Sequence, residues 1–435
     1  MRIMKASKYT ISPLFLTLCF LWIVVRPTNA QPFYDKVYKD NIHTALLYRS
    51  GVPGAFPLID MSGSDKLELI FDDFDGGSKT YNYTYQLCDR NWNPTNLQQM
   101  QYIDGFFQQD ITQYDFSFGT KQTYTHYTLT FPQQGMRPKL SGNYILRVYE
   151  NFDQNNIVLE KRFVITEGLV KIEGRIRDAM SSATRLTSQE PVFTVDASNI
   201  PNVNPQRDLN VMIMQNQRWD NMKTGLKPAF VTGYKMDFSN IDNTLTFLGG
   251  NEYRFLDIRS LRLKNDKTIE MGEDNNGEMR MRLRKEVSRR DLQYTLLQDL
   301  NGSEFIANID GVDGNLDGSY AWVRFSLYCD KTVEDPGDVY IMGQISGNYL
   351  NPDWKMDYNY HTQEYYLEQY LKQGYYNFLF VTKDKETGAG SATFFEGSFQ
   401  RTENTYFIFV YFRDLQQQGA DRLVGVGVVN SITDR

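Results

Sequence analysis

Cysteine and histidine are the scarcest reactive residues of this chain, with three of each among 435 residues. Cys19 lies in an apolar N-terminal segment, which leaves only Cys88 and Cys329 for the remainder. These two residues fall in or near separate strand-like segments, and a chain of this length does not need disulfide staples to fold. We therefore expect two buried free thiols, with a disulfide between them as the alternative.

The three histidines, His43, His126 and His361, are scattered over three segments. A hydrolase needs a nucleophile, a base and an orienting group brought together. The sequence contains no G-x-S-x-G elbow, H-E-x-x-H helix, P-loop or dinucleotide-binding glycine motif. Paired carboxylates could still hydrolyse glycosides, but no such pair is singled out. We predict a protein that is not an enzyme, with no catalytic and no cofactor-binding residues.

Long apolar runs are absent after residue 30, which argues against a membrane span in that part. Before it, Arg2, Lys5 and Lys8 precede the apolar run Ile11–Val25, and Ala30 offers a small residue for cleavage. This pattern predicts a signal peptide over residues 1–30 and an exported protein. An uncleaved N-terminal anchor is the alternative. Cys19 lacks the neighbouring small residues of a lipoprotein signal.

Positive charge is also in short supply. Removal of the leader takes away four basic residues and leaves 42 Lys and Arg against 53 Asp and Glu, a net charge of about −11. Nucleic acids and anionic lipid surfaces are therefore poor partners for the whole molecule.

What the chain has in abundance is period-two alternation of Tyr, Phe, Val, Ile and Thr with polar residues. This pattern predicts strands, and about seven in 130 residues is the density of a β-sandwich. The clearest segments are 44–48, 66–71, 81–87, 124–131, 144–149 and 159–165. We predict an all-β chain of tandem immunoglobulin-like sandwiches.

Domain boundaries follow from the turns between these runs. A linker near Gly168 and a glycine- and aspartate-rich hinge at 310–319 predict domains at 32–167, 168–310 and 318–430. A leucine, a glycine turn and a strand-opening tyrosine recur at Tyr144, Tyr253 and Tyr375, once in each predicted domain.

Two acidic turns could suggest calcium. Asp313–Gly318 matches the first half of a calcium loop, but the twelfth position holds Arg324 where a bidentate Glu is needed. Asp72–Gly77 is more typical of a hairpin tip. We predict no metal site.

Two groups of residues are candidates for binding a partner. Arg280, Arg282 and Arg284 alternate with apolar residues, which gives a strand with one strongly basic face; a solvated face offset by neighbouring acids is the alternative. Trp354 and Tyr358 belong to an aromatic-rich segment that could stack on sugars or anchor an interface, although many of its aromatics are expected in the core.

Several longer blocks resemble one known family. They are FDDFDGG (71–77), CDRNW (88–92), YTHYTLTFP (124–132), LSGNYILRVYE (140–150), LNVMIMQNQRWDN (209–221), GGNEYRFLDIRSLR (249–262) and LKQGYYNFLFV (371–381). In this order they resemble the plug protein of the type IX secretion system, over residues 34–430. The third domain also looks like an early-set sandwich of the kind that accompanies starch-binding modules.

The resemblance implies a non-enzymatic periplasmic protein that binds the outer-membrane translocon barrel and seals its periplasmic opening. It implies attachment through protein contacts rather than direct membrane insertion. It supplies no catalytic residues. The competing hypothesis is an exported carbohydrate-binding sandwich protein, favoured by the aromatic residues around Trp354.

Overall fold

The computed structural model describes residues 35–239, 241–386, 388–414 and 419–435. The predicted leader, residues 1–30, lies outside this part of the chain. Strands account for nearly all of the regular structure, and the described α-helices are single turns. The all-β prediction is confirmed.

The first sandwich, called the N-terminal sandwich, is built from residues 36–166. Its strands and one helical turn are β1 (Lys36–Val37), β2 (Ile42–Arg49), β3 (Leu58–Asp60), β4 (Leu67–Asp73), β5 (Tyr81–Cys88), α1 (Gln99–Tyr102), β6 (Ile103–Gly105), β7 (Gln109–Ile111), β8 (Gln113–Phe116), β9 (Thr125–Phe131), β10 (Met136–Pro138), β11 (Gly142–Glu150) and β12 (Ile157–Thr166). One sheet has the order β1-β12-β11-β5-β7, and the other has the order β2-β4-β9-β8. Alternate side chains of each strand point inward, so that Tyr83 and Leu146 meet Leu69 and Leu129 in one core.

The six strands that the alternation predicts all lie in this sandwich, in β2, β4, β5, β9, β11 and β12. The hydroxyl of the predicted turn tyrosine, Tyr144, donates to the Leu140 carbonyl oxygen at 2.7 Å. This is the tyrosine corner of sandwich proteins. The same corner recurs at Tyr376, which donates to the Lys372 carbonyl at 2.5 Å, one residue beyond the predicted Tyr375.

The next strands form most of a second sandwich, called the middle sandwich. They are β13 (Lys171–Asp178), β14 (Ser188–Asp196), β15 (Leu209–Gln215), β16 (Lys223–Leu226), β17 (Phe230–Thr232), β18 (Lys235–Phe238) and β19 (Phe247–Leu248), with α2 at Pro205–Asp208 and a 3-10 turn at Trp219–Asn221. One sheet has the order β13-β14-β18-β17, and β15 pairs with β16 in the other.

Residues 253–400 form a third sandwich, called the inserted sandwich. Its elements are β20 (Arg254–Asp257), β21 (Thr268–Glu273), β22 (Met279–Leu283), β23 (Glu304–Ile306), α3 (Gly314–Asp317), β24 (Tyr320–Tyr328), β25 (Val339–Met342), β26 (Asp357–Asn359), β27 (Glu364–Lys372), β28 (Gly374–Lys383), β29 (Gly390–Ser391) and α4 (Thr393–Glu396), with 3-10 turns at Gln344–Ser346 and Pro352–Trp354. One sheet has the order β21-β22-β24-β27-β26, and the other is centred on β28.

The last two strands, β30 (Thr405–Asp414) and β31 (Ala420–Asn430), do not join the inserted sandwich. They complete the middle sandwich in the order β16-β15-β30-β31. The chain enters and leaves the insertion at adjacent points, because Asn404 Nδ2 donates to the Gly249 carbonyl at 2.8 Å. This differs from the predicted boundaries at 310 and 318: alternation reveals a strand, but it does not reveal which sheet the strand joins.

The sheet that contains β30 is covered on both faces. Its inner face packs in the middle sandwich through Ile408 and Val410. Its outer face packs against the N-terminal sandwich, where Phe409 meets Phe56 and Val164 in a second apolar cluster. The two sandwiches therefore share a packed interface rather than a loose linker.

The segment 310–319, predicted as a flexible hinge, is instead held in place. Asp313 caps α3 by accepting from the Asn315 backbone nitrogen at 3.0 Å. The Leu316 carbonyl accepts from the backbone of Phe118, and the Gly318 carbonyl accepts from the Tyr124 hydroxyl, each at 2.8 Å. The segment thus docks the inserted sandwich on the N-terminal one.

Candidate functional site

The predicted basic strand is β22, and it alternates as expected. Met281 and Leu283 are buried in the core, while Arg280 and Arg282 lie on the outer face of the sheet. The arginines are not free charges: Arg280 pairs with Asp274 at 2.7 Å and Arg282 pairs with Glu270 at 2.5 Å.

Arg284 lies just beyond β22, and its guanidinium donates to the Asp266 carbonyl at 3.2 Å. The described contacts of the three arginines therefore match the alternative interpretation, a basic face offset by nearby acceptors.

The same outer face continues as a ladder of arginines, aromatics and acids. Arg280 lies over the Trp322 ring at 5.7 Å, and Arg324 lies over the Tyr366 ring at 4.3 Å. Glu368 accepts from both arginines, at 3.4 and 3.3 Å. Such ladders are adaptable contact surfaces, because planar guanidinium groups stack on aromatics and bind carboxylates in the same geometry.

Trp354 and Tyr358 differ from the expectation of an exposed aromatic platform. Trp354 is 7% exposed and belongs to the core of the inserted sandwich. Tyr358 is half-buried, and its hydroxyl donates to the Cys329 carbonyl at 2.7 Å. Cys329 and Cys88 are both buried and free, as the sequence predicts. Trp354 is therefore not available on the surface to stack on a sugar, as the carbohydrate-binding hypothesis requires.

A buried charged cluster joins the N-terminal and inserted sandwiches, and the sequence did not suggest it. Lys372 Nζ lies 2.6 Å from Asp72 Oδ2, and both side chains are wholly buried. The same oxygen accepts from the Tyr320 hydroxyl at 2.6 Å, while His126 Nδ1 lies 2.6 Å from Asp72 Oδ1. The Lys372 ammonium also lies over the Tyr124 ring at 4.1 Å.

Burial explains why the Lys372 and Asp72 charges are hydrogen-bonded to each other and to their neighbours, although His126 Nε2 is buried without a partner among the described residues. Burial lowers the pKa of Lys372, although Asp72 opposes the shift. Burial, reinforced by Asp72, raises the pKa of Tyr320 well above its ordinary value. A buried charge is tolerated only when it is paired and hydrogen-bonded. The arrangement indicates a fixed joint between two sandwiches.

The carboxylates of both acidic turns are engaged by protein groups. Asp72 and Asp73 are buried, and Asp73 accepts from the Tyr81 hydroxyl at 3.0 Å. Asp317 accepts from the Asn308 side chain at 2.9 Å and from nearby backbone nitrogens. Across the described ranges, no group of three or more His, Cys, Asp or Glu side chains is arranged to hold a metal ion.

A cleft of about 440 Å³ lies where the three sandwiches meet. The N-terminal sandwich contributes Lys161, the middle sandwich Trp219, and the inserted sandwich Glu304. At its edge, Ser303 Oγ of the inserted sandwich donates to the Gly54 carbonyl at 3.1 Å, and Gln217 Nε2 of the middle sandwich donates to the same oxygen at 3.2 Å. Three sandwiches thus converge on one carbonyl.

An exposed aromatic band, residues 106–118, runs along one edge of the N-terminal sandwich. It contains β7, an edge strand of one sheet, and β8, an edge strand of the other. Phe106, Phe116 and Phe118 are 68%, 58% and 80% exposed. Contiguous exposed apolar groups mark interaction sites more often than scattered ones do.

Comparison with known proteins identifies the first part of the chain. The fold places the protein in the class of all-β proteins built from packed sandwiches, and no helix in the described residues is long and apolar enough to cross a membrane. Within that class, residues 42–167 match the family model of the type 9 secretion system plug protein 1st domain. The match spans the N-terminal sandwich and confirms, for that part of the chain, the resemblance predicted over residues 34–430.

Solved structures add a likeness for the whole fold. A structure described as a hypothetical protein from Parabacteroides merdae ATCC 43184 is 28% identical, with a TM-score of 0.87, and the match covers 92% of this chain and 100% of that one. Escherichia coli alpha-2-macroglobulin activated by porcine elastase has a TM-score of only 0.18 at 9% identity, with 92% of this chain and 35% of that chain covered. No curated protein matches this chain.

Proposed function

We propose that the protein is a non-enzymatic plug that binds the outer-membrane translocon barrel of the type IX secretion system and seals its periplasmic opening. The observation that carries this proposal is the family match over residues 42–167. The family match supports a role in type IX secretion; the barrel as partner, the periplasmic location and the cleavage of the leader are further parts of the proposal.

The architecture supports this function on physical grounds. A plug must keep its shape while it fills an opening, and the buried Asp72–Lys372 joint and the β30 interface fix the three sandwiches to one another. It must also detach, which favours a contact of moderate size with a polar rim over a core-like one. Sealing an opening requires no active site.

Two surfaces are suited to the contact. The arginine–aromatic ladder on the outer face of β22 offers charged and stacking groups, and the aromatic band offers apolar side chains on an open sheet edge. Edge strands pair readily with another chain. The band contains Asp110 and Asp115 and no lysine or arginine, so it suits a partner edge that carries basic residues.

The deciding experiment is a pull-down from outer-membrane extract of the native host, with the mature protein as bait. We expect the translocon barrel in the eluate under conditions that preserve the complex. Its absence, while the bait remains folded by circular dichroism, would contradict the proposed function.

Charge reversal tests the ladder separately. If Arg280 and Arg282 dock on the partner, Arg280→Glu with Arg282→Glu weakens the complex, and the loss is larger at low salt because exposed charges are screened at high salt. Arg207→Glu is the matched control, since Arg207 is also an exposed, ion-paired arginine but lies on the middle sandwich. If the barrel retains the wild type, the Arg280→Glu, Arg282→Glu double variant and the Arg207→Glu control equally, the ladder is excluded as the contact.

A further inference from the structure

The cleft at the junction of the three sandwiches contains an acid without a counter-charge. Glu304 on β23 is 6% exposed, and its backbone nitrogen donates to Gln344 Oε1 at 3.1 Å. Its side-chain oxygen Oε2 is buried and has no hydrogen-bond partner among the described residues. Burial raises the pKa of Glu304 to about 7, against the smaller opposing effect of Lys161.

A second unpaired acceptor lines the same cleft. Asn348 Oδ1 is buried without a partner in the described part of the chain. Backbone hydrogen bonds link the segments that carry the two residues: Asn348 N donates to the Gly343 carbonyl and Gln344 N donates to the Gly302 carbonyl, each at 2.8 Å. Buried polar atoms are normally satisfied, and each exception calls for an explanation.

The protein's own cations do not supply the missing donor. Lys161 lines the cleft but forms no ion pair with Glu304 in the described structure. Arg162 is committed to Asp35 at 2.8 Å, and its guanidinium lies over both the Trp92 and the Trp219 ring. Lys372 is committed to Asp72. Lys36 also lines the cleft and lies over the Tyr38 ring at 4.7 Å. None of these cations pairs with Glu304 in the described structure, and its carboxyl is anionic above a pH of about 7.

We propose that this junction cleft binds the ammonium or guanidinium group of a lysine or arginine side chain presented by a partner polypeptide. The two unpaired acceptors, Glu304 and Asn348, receive its protons. Trp219, Tyr349 and Tyr376 line the same space, and aromatic faces attract a cation and its aliphatic stem. A charged donor makes a stronger bond to a carboxylate than a neutral donor does.

The position of the cleft at the junction of the sandwiches means that a bound side chain contacts more than one domain. All three sandwiches contribute to the cleft, and a side chain seated between Glu304 and Trp219 bridges the inserted and middle sandwiches. The inference concerns a basic side chain of any partner and does not depend on the identity of the translocon barrel. It can fail while the plug function stands, and the reverse is also true.

The test uses short peptides and the mature protein. The probes are acetyl-Gly-Lys-Gly-amide, acetyl-Gly-Arg-Gly-amide and acetyl-Gly-norleucine-Gly-amide, with binding measured by titration calorimetry at low salt. We expect saturable binding of the lysine and arginine peptides and at least about tenfold weaker binding of the uncharged norleucine peptide, equivalent to about 1.4 kcal/mol. Equal binding of all three peptides, or none at millimolar concentration, would overturn the proposal.

Butylamine separates a polypeptide side chain from a free amine. Because the flanking peptide groups add contacts in the cleft, we expect butylamine to bind more weakly than the lysine peptide. Equal affinity would show that the site recognises a small amine and would overturn the assignment to a polypeptide.

Two variants of the protein complete the test. Glu304→Gln keeps the shape but removes the charge, so it should weaken binding of the lysine peptide about tenfold or more; Glu386→Gln, at an exposed position outside the cleft, should leave it unchanged. If Glu304→Gln does not fold, Lys161→Gln decides the question. At pH 9, above the pKa of Glu304, removal of this charge, which repels the cation of the peptide, should strengthen binding; unchanged or weaker binding there would count against the proposal.

Discussion

At the scale of single residues, the most consequential contact joins two conspicuous sequence blocks. Asp72 belongs to FDDFDGG and Lys372 to LKQGYYNFLFV, and their side chains meet at 2.6 Å although 300 positions separate them. Removing both charges from water is costly, so the pair contributes little net stability as such. Removal of only one of the two charges should cost far more stability, because the other charge then stays buried without its partner.

We predict that Lys372→Met destabilises the protein by about 3–5 kcal/mol, because it leaves Asp72 buried without its cation. Asp72→Asn should cost a comparable amount. The double variant should cost clearly less than the sum of the two, since neither charge is then left alone. Urea unfolding monitored by tryptophan fluorescence measures all three.

The exposed pair Lys171–Glu173 provides the control for this cycle. Solvent screens such pairs, so Lys171→Met should leave the unfolding midpoint unchanged. Strictly additive losses at positions 72 and 372 would show that the two side chains do not interact energetically, contrary to the structure.

At the scale of secondary-structure elements, the hairpin of β30 and β31 decides the architecture. It is the last part of the chain, yet β30 occupies the centre of a sheet and is packed on both faces. A strand in that position supplies core to two sandwiches at once. The inserted sandwich, which precedes β30 in the chain, contributes no strand to the described sheets of the N-terminal and middle sandwiches.

We therefore predict that the shorter of two deletions is the more damaging. Removal of residues 404–435 should abolish cooperative unfolding of the middle sandwich, because one of its sheets loses its central strand. Replacement of residues 251–403 by a short glycine-serine linker should leave the N-terminal and middle sandwiches folded, since Gly249 and Asn404 are already in contact. Circular dichroism and thermal melting distinguish the two.

If replacement of residues 251–403 proves more damaging than removal of residues 404–435, the result would favour the domain boundaries predicted from the sequence. A fragment that spans residues 168–310 is the corresponding check: we expect it to remain unfolded in isolation, because it lacks β30 and β31 and contains only part of the inserted sandwich.

At the scale of the whole molecule, two buried acids, Glu304 and Glu252, and the half-buried Asp299 lie near the points where the sandwiches meet and where the chain crosses between them. Burial raises the pKa of Glu304 to about 7, of Glu252 to about 7 and of Asp299 to about 6. Their unfolded values are near 4.5, 4.5 and 3.8. At a pH between the unfolded and the folded pKa of an acid, that acid binds more protons in the folded protein than in the unfolded chain.

It follows that these acids lower the free energy of unfolding as pH rises from about 5 to 7. Each group contributes a slope of at most about 1.4 kcal/mol per pH unit. His43, whose pKa burial lowers, contributes with the opposite sign up to its ordinary value. Comparison of the wild type with Glu304→Gln isolates one acid: the variant should lose less stability across this window, and parallel curves would show that Glu304 does not titrate there.

The fold was predictable wherever the information is local. Alternation in segments such as 81–87 and 144–149 predicted strands correctly, because the period of two is a property of the strand itself. The turn at Gly142 and Tyr144 was predictable for the same reason. The alternating arginines of β22 were also predicted correctly as a face, but their ion pairs with Asp274 and Glu270 were not.

The candidate sites were much less predictable. Trp354 and Tyr358 have the composition of a surface platform, yet packing against β24 and β27 places one in the core and half-buries the other. Glu304 gave no signal at all, because a single glutamate in a short strand becomes unusual only when two other sandwiches enclose it.

The sequence by itself determined that this protein is all-β, that its first sandwich resembles the plug family, and that its chemistry is poor in catalytic groups. Each of these properties is encoded in residues close together along the chain. Only the tertiary structure decided that the last strands return to the middle sandwich, that Asp72 meets Lys372, and that three sandwiches enclose Glu304. These are contacts between distant segments, and pairing of that kind is fixed by burial and by the completion of sheets rather than by local pattern.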